Sequence, residues 1–136
     1  MADTINLSGA INVGPADVSD TTFPTGVNVV SLALRSGERK NAAVNDKGAR
    51  SLTAAVFTDL RCVGPGEAVT KGTFLYVRSS TAMQIRMTTD DGTGGNVVAI
   101  VPIYGPMVIE FDETKFLKLL EGLGTGVIEY LVSGAE

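Results

Sequence analysis

The stretch EGLGTGVIEYLVSG, residues 121–134, places three glycines on alternate positions: Gly122, Gly124 and Gly126. A dinucleotide-binding loop needs a strand, then the spacing Gly-x-Gly-x-x-Gly, then a helix whose N-terminus faces the phosphates. Here the spacing is Gly-x-Gly-x-Gly, and the residues that follow have the pattern of a strand. The glycines therefore predict a turn that opens the last strand of a β protein.

Other apolar runs also have the pattern of strands. In AMQIRMTT, residues 82–89, apolar and polar side chains alternate, as in a strand buried on one face. GTFLYVRSS, residues 72–80, is a second strand, and the short connection predicts that the two pair as an antiparallel hairpin. NVVAIVPIYG, residues 96–105, is a continuous apolar run. This run predicts a strand covered on both faces, with Pro102 at an edge or a bulge.

Turn signals separate these runs at short intervals, which indicates an all-β sandwich or barrel. In TTDDGTGGN, residues 88–96, the Asp-Gly and Gly-Gly pairs predict a hairpin loop. A calcium site is the alternative there, although the ligand spacing of a calcium loop is absent. The segment DETKFLKLLEG, residues 112–122, is either the one short helix of the fold or a strand.

Two segments suggest contact surfaces. Residues 1–26 are small and polar and predict an extended arm, followed by a single β domain over residues 27–136. Residues 36–50 contain almost no large apolar side chain and predict a long solvated loop, which is either a contact surface or a plain mobile loop. The arm would add a strand to a neighbour's sheet edge, and the loop would meet acidic patches. The candidate partner-binding residues are Ile5, Leu7, Ile11 and Val13 in the arm, with Arg39, Lys40, Lys47 and Arg50 in the loop.

Histidine and tryptophan are absent, and cysteine occurs once, as Cys62. Without histidine the chain lacks the usual general base near neutral pH and the commonest metal ligand. We therefore predict no catalytic residue, no cofactor and no metal site. Cys62 is predicted to be a small buried strand residue, because no histidine is present to activate it as a nucleophile.

The net charge is -4, from 11 lysines and arginines against 15 aspartates and glutamates. This balance argues against nucleic acid as a partner, since phosphate binding requires a basic face. No stretch approaches the ~20 apolar residues of a membrane span, and the N-terminus has no signal-peptide core, so synthesis in a cytoplasm is expected. Hydrophobic residues make up 44% of the chain and charged ones 19%, which predicts apolar surface buried against another chain.

The segment FLKLLEGLGTGVIEYLVSG (116–134), the opening MADTINLSGAINVG (1–14) and GPGEAVTKGTFLYVRSS (64–80) together resemble small capsid decoration, or cement, proteins of tailed bacteriophages, including short-tailed ones. The resemblance implies a jelly-roll-like antiparallel β-sandwich without cofactor or catalytic centre. It also implies a virion protein, made in the host bacterial cytoplasm, that binds the outer capsid surface. There a homo-oligomer, a dimer more readily than a trimer, would bridge copies of the major capsid protein.

Two other classes of function stay open. One is a receptor- or carbohydrate-binding β-sandwich module of a phage fibre or head. Such sites rely on exposed aromatic side chains, and this chain has no Trp and three Tyr. The other is a small hydrolase or lyase that uses carboxylates such as Asp112, Glu113 and Glu129.

Overall fold

The structure, a computed structural model, describes residues 3–6, 10–12, 29–31, 39–42 and 44–135. All regular structure in these residues is β, which confirms the predicted all-β, sandwich-like antiparallel fold with at most one short helix. The strands are β1 Asp3–Asn6, β2 Ala10–Asn12, β3 Val29–Ser31, β4 Arg39–Ala42, β5 Val44–Asp59, β6 Lys71–Ser79, β7 Met83–Asp90, β8 Asn96–Ile103, β9 Met107–Glu110 and β10 Leu117–Ala135.

The chain divides into two compact units, Thr4–Asn41 and Ala42–Glu136, the second including Met1–Asp3. In the smaller unit β2 pairs antiparallel with β3. A second two-stranded sheet consists of β1 and β4. The predicted boundary between arm and domain, at residues 26 and 27, lies outside the described residues. The arm over residues 1–26 and the domain over residues 27–136 therefore stay predictions.

Strand β10 is the centre of the larger unit. The sheet has the order β8-β7-β10-β6-β9, and β5 also pairs with β10. β7 and β6 follow one another along one side of β10, since Leu123 lies opposite Gln84 and Ile128 opposite Ser79. β5 runs antiparallel to β10 along the other side. The segment predicted as either a helix or a strand is thus extended from Leu117 onward.

The predicted hairpin between β6 and β7 is wrong. The two strands do not pair with each other, because the chain continues along β10 through the connection at residues 80–82. Ser80 keeps the ladder intact there: its N–H donates to the Val127 carbonyl at 2.9 Å, and its hydroxyl accepts from the Val127 N–H at 2.9 Å. The Thr81 hydroxyl donates to the Thr125 carbonyl at 2.6 Å. These bonds hold the connection extended, so the chain does not reverse.

The three alternate glycines lie inside β10, so the predicted turn before the last strand is also wrong. Gly124 and Gly126 have positive φ angles of 131° and 151°, which side-chain-bearing residues rarely adopt. The pairing of β10 with β5 shifts register between Gly122 and Gly124. The glycines therefore bend a continuous strand where its partner changes from β7 to β6, which lets the sheet curl.

The curled sheet encloses one apolar core. β8 pairs with β7 and β9 with β6, so β8 and β9 lie one after the other along the same edge of the sheet, and residues 104–106 form the junction between them. The Ser79 hydroxyl donates to the Ile103 carbonyl across this junction. The alternation predicted for β7 is confirmed, with Met83, Ile85 and Met87 facing the core. The largest fully buried side chains are Leu60, Leu75, Ile85, Leu117, Leu120 and Ile128.

Candidate interaction surface

Strand β8 is the apolar element with the greatest exposure in the described sheet. Val97, Val98 and Ile100 are 51%, 56% and 54% exposed, and Tyr104 just beyond the strand is 76% exposed. The prediction that both faces are covered is therefore wrong, because β8 ends the strand order and only its last residue, Ile103, is buried. Pro102 at a sheet edge is confirmed. We call Val97, Val98, Ile100 and Tyr104 the β8 surface.

The β8 surface carries no charge. No charged side chain occurs between Asp91 and Glu110. Free sheet edges are normally protected by charged side chains, which discourage pairing with another chain. The other two strands at edges of the described sheet follow this rule, since β9 is short and ends in Glu110, while β5 carries Asp46, Lys47, Arg50 and Asp59.

The free edge of β8 offers a regular row of backbone groups. The Asp91 N–H donates to the Gly95 carbonyl, whereas the Asp90 N–H donates away from β8, to Phe116. Because inward and outward backbone groups alternate in an antiparallel ladder, the odd-numbered residues of β8 bond to β7. The N–H groups of Asn96, Val98 and Ile100 therefore point to the free edge. Pro102, which has no N–H, occupies the next outward position.

Lys118 of β10 fastens the turn that leads into β8. Its Nζ donates to the carbonyls of Gly94 and Gly95 at 3.2 and 3.1 Å and to Asn96 Oδ1 at 3.0 Å. It also forms an ion pair with Asp90 Oδ2 at 3.0 Å. The hydrogen bond from Lys118 is the main cause that lowers the pKa of the Asp90 carboxyl. These contacts tie the turn before β8 to β10.

The turn itself confirms the predicted hairpin loop, since β7 and β8 pair from Asp90 opposite Asn96 onward. Asp90 Oδ1 accepts from the N–H groups of Gly92 and Gly94, and Asp91 Oδ1 accepts from those of Thr93 and Gly95. The oxygens considered for calcium are thus engaged by backbone N–H groups and by the Lys118 ammonium. Among the described residues no group of three His, Cys, Asp or Glu side chains is placed to hold a metal ion.

Next to the β8 surface, an ion pair stiffens the sheet. Arg86 belongs to β7, where it lies opposite Ile100 of β8 on one side and opposite Glu121 of β10 on the other. Arg86 donates to Glu121 through Nε at 2.9 Å and Nη2 at 2.7 Å, and its guanidinium lies 4.4 Å from the centre of the Phe57 ring. The hydrogen bond to Glu121 raises the pKa of Arg86. Such a forked pair holds the neighbouring strands in register.

The candidate partner-binding residues belong to several elements where the structure describes them. Ile5 lies in β1 and Ile11 in β2, while Leu7 and Val13 are outside the described residues. Arg39 and Lys40 lie in β4. Whether any of these residues binds a partner stays a prediction.

Lys47 and Arg50 lie in β5, so the predicted loop over residues 36–50 is wrong where β4 and β5 cover it. They face opposite sides of the strand, because they are three residues apart in a regular ladder with β10. Arg50 Nε donates to the Leu60 carbonyl at 3.0 Å. Cross-strand pairing with β10, which the composition of residues 36–50 does not reveal, makes residues 44–50 extended.

The carboxylates considered for catalysis lie on separate elements. Asp112 Oδ1 accepts from the Thr114 N–H in the connection before β10, and Glu113 is exposed beside it. Glu129 lies in the second half of β10 and pairs with Arg78 at 2.9 Å. A shallow cavity of about 280 Å³ is lined by Glu129, Arg78, Ser79, Ser80 and Val127, and therefore contains one carboxylate.

Cys62 is fully buried, as predicted, although it lies in the bend after β5 and not in a strand. Burial, with smaller contributions from Asp46 and Asp59, raises the pKa of its thiol to about 12. A thiol with this pKa is almost entirely protonated at neutral pH and is a poor nucleophile. The sulfur therefore serves the core packing.

Comparison with known proteins gives no relative: no protein-family model, no curated protein and no solved structure matches this chain. The resemblance to phage decoration proteins thus stays a prediction. No helix in the described part of the chain is long and apolar enough to cross a membrane. Sequence reasoning missed the β8 surface, although the uncharged interval between Asp91 and Glu110 is a signal that could have indicated it.

Proposed function

We propose that the protein is a non-enzymatic structural subunit that binds the outer surface of an assembled viral capsid as a homo-oligomer. There it stabilises the shell by bridging copies of the major capsid protein. The observation that carries this proposal is the uncharged, exposed β8 surface, because an apolar sheet edge without protecting charges is suited to protein association. The resemblance of residues 116–134 to capsid decoration proteins supplies the viral setting.

The rigidity of the sheet supports a binding role. Lys118 anchors the turn before β8, and Arg86 is held between Glu121 and Phe57 beside it. A surface that is ordered before binding loses less conformational entropy when its partner arrives. Burial of the β8 surface would therefore lose less of its favourable free energy to ordering than burial of a mobile loop would.

The stabilisation would follow from mass action. A ligand that binds only the assembled shell stabilises it by roughly 2.7 kcal/mol when its free concentration is ~100 times the dissociation constant. An oligomer that touches two shell subunits makes its second contact intramolecular, which strengthens binding by ~100-fold or more where the geometry permits. Modest contacts repeated over a shell would then resist the internal pressure of packaged DNA.

The test is co-sedimentation with empty shells of the phage that encodes the chain. We expect the protein to pellet with assembled shells, to remain in solution with dissociated capsid protein, and to raise the temperature at which the shells come apart. Equal binding to dissociated capsid protein, or no binding at micromolar concentration, would overturn the proposal. A carbohydrate-binding module would instead give a glycan-array signal that depends on the exposed Tyr104.

The predicted partner-binding residues can be tested in the same assay. Removal of residues 2–13 should weaken shell binding if the arm contributes, and so should the change of Arg39 and Lys40 to glutamate at low salt. Undiminished binding would remove the arm or the basic residues, respectively, from the contact surface. The shell-binding proposal itself would survive either result.

A further inference from the structure

We propose that β8 of one copy pairs antiparallel with β8 of a second copy about a two-fold axis at Ala99. In this arrangement Val98 of each copy lies opposite Ile100 of the other. The inference rests on the proposed function, because a bridging subunit needs a second copy. It goes further by naming the surface and the register of the dimer.

The register follows from the backbone groups at the free edge. The outward N–H groups belong to Asn96, Val98 and Ile100, and the outward carbonyls to these residues and Pro102. With Val98 opposite Ile100, each of the three N–H groups of one copy faces a carbonyl of the other. Pro102, which cannot donate, then lies opposite Asn96 at the end of the ladder. An axis at Ile100 would instead place Pro102 opposite Val98, leaving that carbonyl without a donor.

The charge pattern favours a second copy as the occupant. Each chain carries a net charge of -4, so two copies repel each other, and this repulsion is weakest when the contact itself is neutral and keeps the charges apart. The interval between Asp91 and Glu110 supplies a neutral contact, and it includes all of β8. Pairing would place Val98 and Ile100 of both copies in one apolar row on one face of the joined sheets, with Val97 and Val101 on the other face. No like charges would lie opposite each other.

Of the three edge strands in the described sheet, β8 alone combines length with neutrality. A copy that docked against β5 would meet Asp46, Lys47 and Asp59. A copy that docked against β9 would find a four-residue strand ending in Glu110. An edge without such protection is where strands of separate chains join.

Cysteine cross-linking tests the register. Ala99 is exposed and would lie opposite Ala99 of the partner in a non-hydrogen-bonded pair. The Cα atoms of such a pair are about 4.5 Å apart, within the range that a disulfide spans. We expect Ala99→Cys to form a covalent dimer under mild oxidation. The matched control, Val97→Cys, would place its two sulfurs roughly 13 Å apart along the strands, so it should stay unlinked. Cys62 is buried and does not compete.

Native mass tests the surface independently. Light scattering across a tenfold dilution should give twice the mass of the chain for the wild type. Ile100→Lys should raise the dimer dissociation constant by about tenfold or more, since it buries a charge against an apolar partner. Val56→Lys is the matched control, because Val56 is 70% exposed but lies on β5, and it should leave the dimer intact. Far-UV circular dichroism checks that both variants are folded.

The outcomes separate this inference from the proposed function. A wild type that is monomeric throughout, or a dimer in which Val97→Cys links as readily as Ala99→Cys, would overturn the β8 pairing even if shells are bound. A dimer with the expected cross-link that fails to sediment with shells would support the pairing and remove the capsid role. If Ile100→Lys is monomeric and binds shells as tightly as the wild type, the pairing stands but bridging does not.

Discussion

Strands β10 and β8 show how little the apolar content of a segment says about its burial. β10 contains Lys118, Glu121, Glu129 and several glycines, yet it is the centre of the sheet and contributes Leu117, Leu120 and Ile128 to the core. β8 reads NVVAIVPI, without a charge, and nearly all of it is exposed. The difference arises from pairing, since β10 has partners on both sides and β8 pairs only with β7 among the described strands.

The charged residues of β10 remain compatible with a central position because each has a defined partner. Glu121 accepts both hydrogen bonds of Arg86, and the Lys118 ammonium lies within hydrogen-bond distance of four oxygens around the β8 turn. A buried charge is tolerated when it is paired and hydrogen-bonded. An exposed valine costs comparatively little by itself, but a row of them on a sheet edge promotes association.

Shortening one apolar side chain on each strand should give the largest contrast. We expect Leu120→Ala to lower the free energy of unfolding by about 2–5 kcal/mol, because Leu120 is fully buried and the change leaves a cavity. Ile100→Ala, at a side chain that is 54% exposed, should stay within about 0.5 kcal/mol for the monomer. Urea unfolding at low protein concentration measures both. Equal losses would show that β8 is covered in solution.

The bend of β10 supplies the next contrast. Gly124→Ala should cost about 1–3 kcal/mol, because alanine strains the backbone at a φ of 131° and its Cβ would lie 3.2 Å from Met83 Cγ. Gly105→Ala, next to β8, should be nearly neutral, since nothing lies within 4 Å of the added atom and φ is not positive. Thermal or urea unfolding of the two variants side by side tests this. An unaffected Gly124→Ala would mean that the bend does not require glycine.

These glycines also show which parts of the fold the sequence could predict. Alternation in β7, the hairpin loop at residues 91–95 and the burial of Cys62 all follow from local chemistry, and the structure confirms them. Glycine at positive φ fits a turn and a strand bend equally well, so the spacing of Gly122, Gly124 and Gly126 could not distinguish the two. The hydrogen bonds of Ser80 and Thr81 to β10 decide between them, and these bonds link positions far apart in the chain.

The candidate surface escaped prediction for a related reason. Period-two patterns report which face of a strand is buried, but a continuous apolar run fits both a fully covered strand and an exposed edge. Pro102 pointed correctly to an edge. The order of strands, which places β8 last, is a property of the whole sheet. The lack of charge between Asp91 and Glu110 indicates an exposed strand only once the position of β8 at the edge of the sheet is known.

The turn before β8 gives a prediction about pH. The pKa of Asp90 is lowered in the folded protein, mainly by Lys118, so this carboxylate adds stability above the unfolded pKa of about 3.9 and loses it as the pH falls through the lower folded pKa. Lys118→Met should therefore destabilise the protein at pH 7 and flatten the fall in stability between pH 5 and pH 2. Lys115→Met, at an exposed neighbour, should retain the wild-type pH dependence. The midpoint of urea unfolding is measured at several pH values for the wild type and the two variants. The same fall in stability at acid pH in all three proteins would contradict the role of Lys118.

The two arginine–glutamate ion pairs of β10 should give the smallest difference in stability among these comparisons. Glu129 and Arg78 have side chains 48% and 54% exposed and share one hydrogen bond, so Glu129→Gln should cost about 0–1 kcal/mol and nothing measurable in 1 M salt. Glu121 is 12% exposed and bonds Arg86 twice, so Glu121→Gln should destabilise more and keep its effect in salt. Urea unfolding at low and high salt measures both. A larger loss for Glu129→Gln would mean that solvent reaches the first half of β10, and that the contrast between this strand and β8 is weaker than the burial indicates.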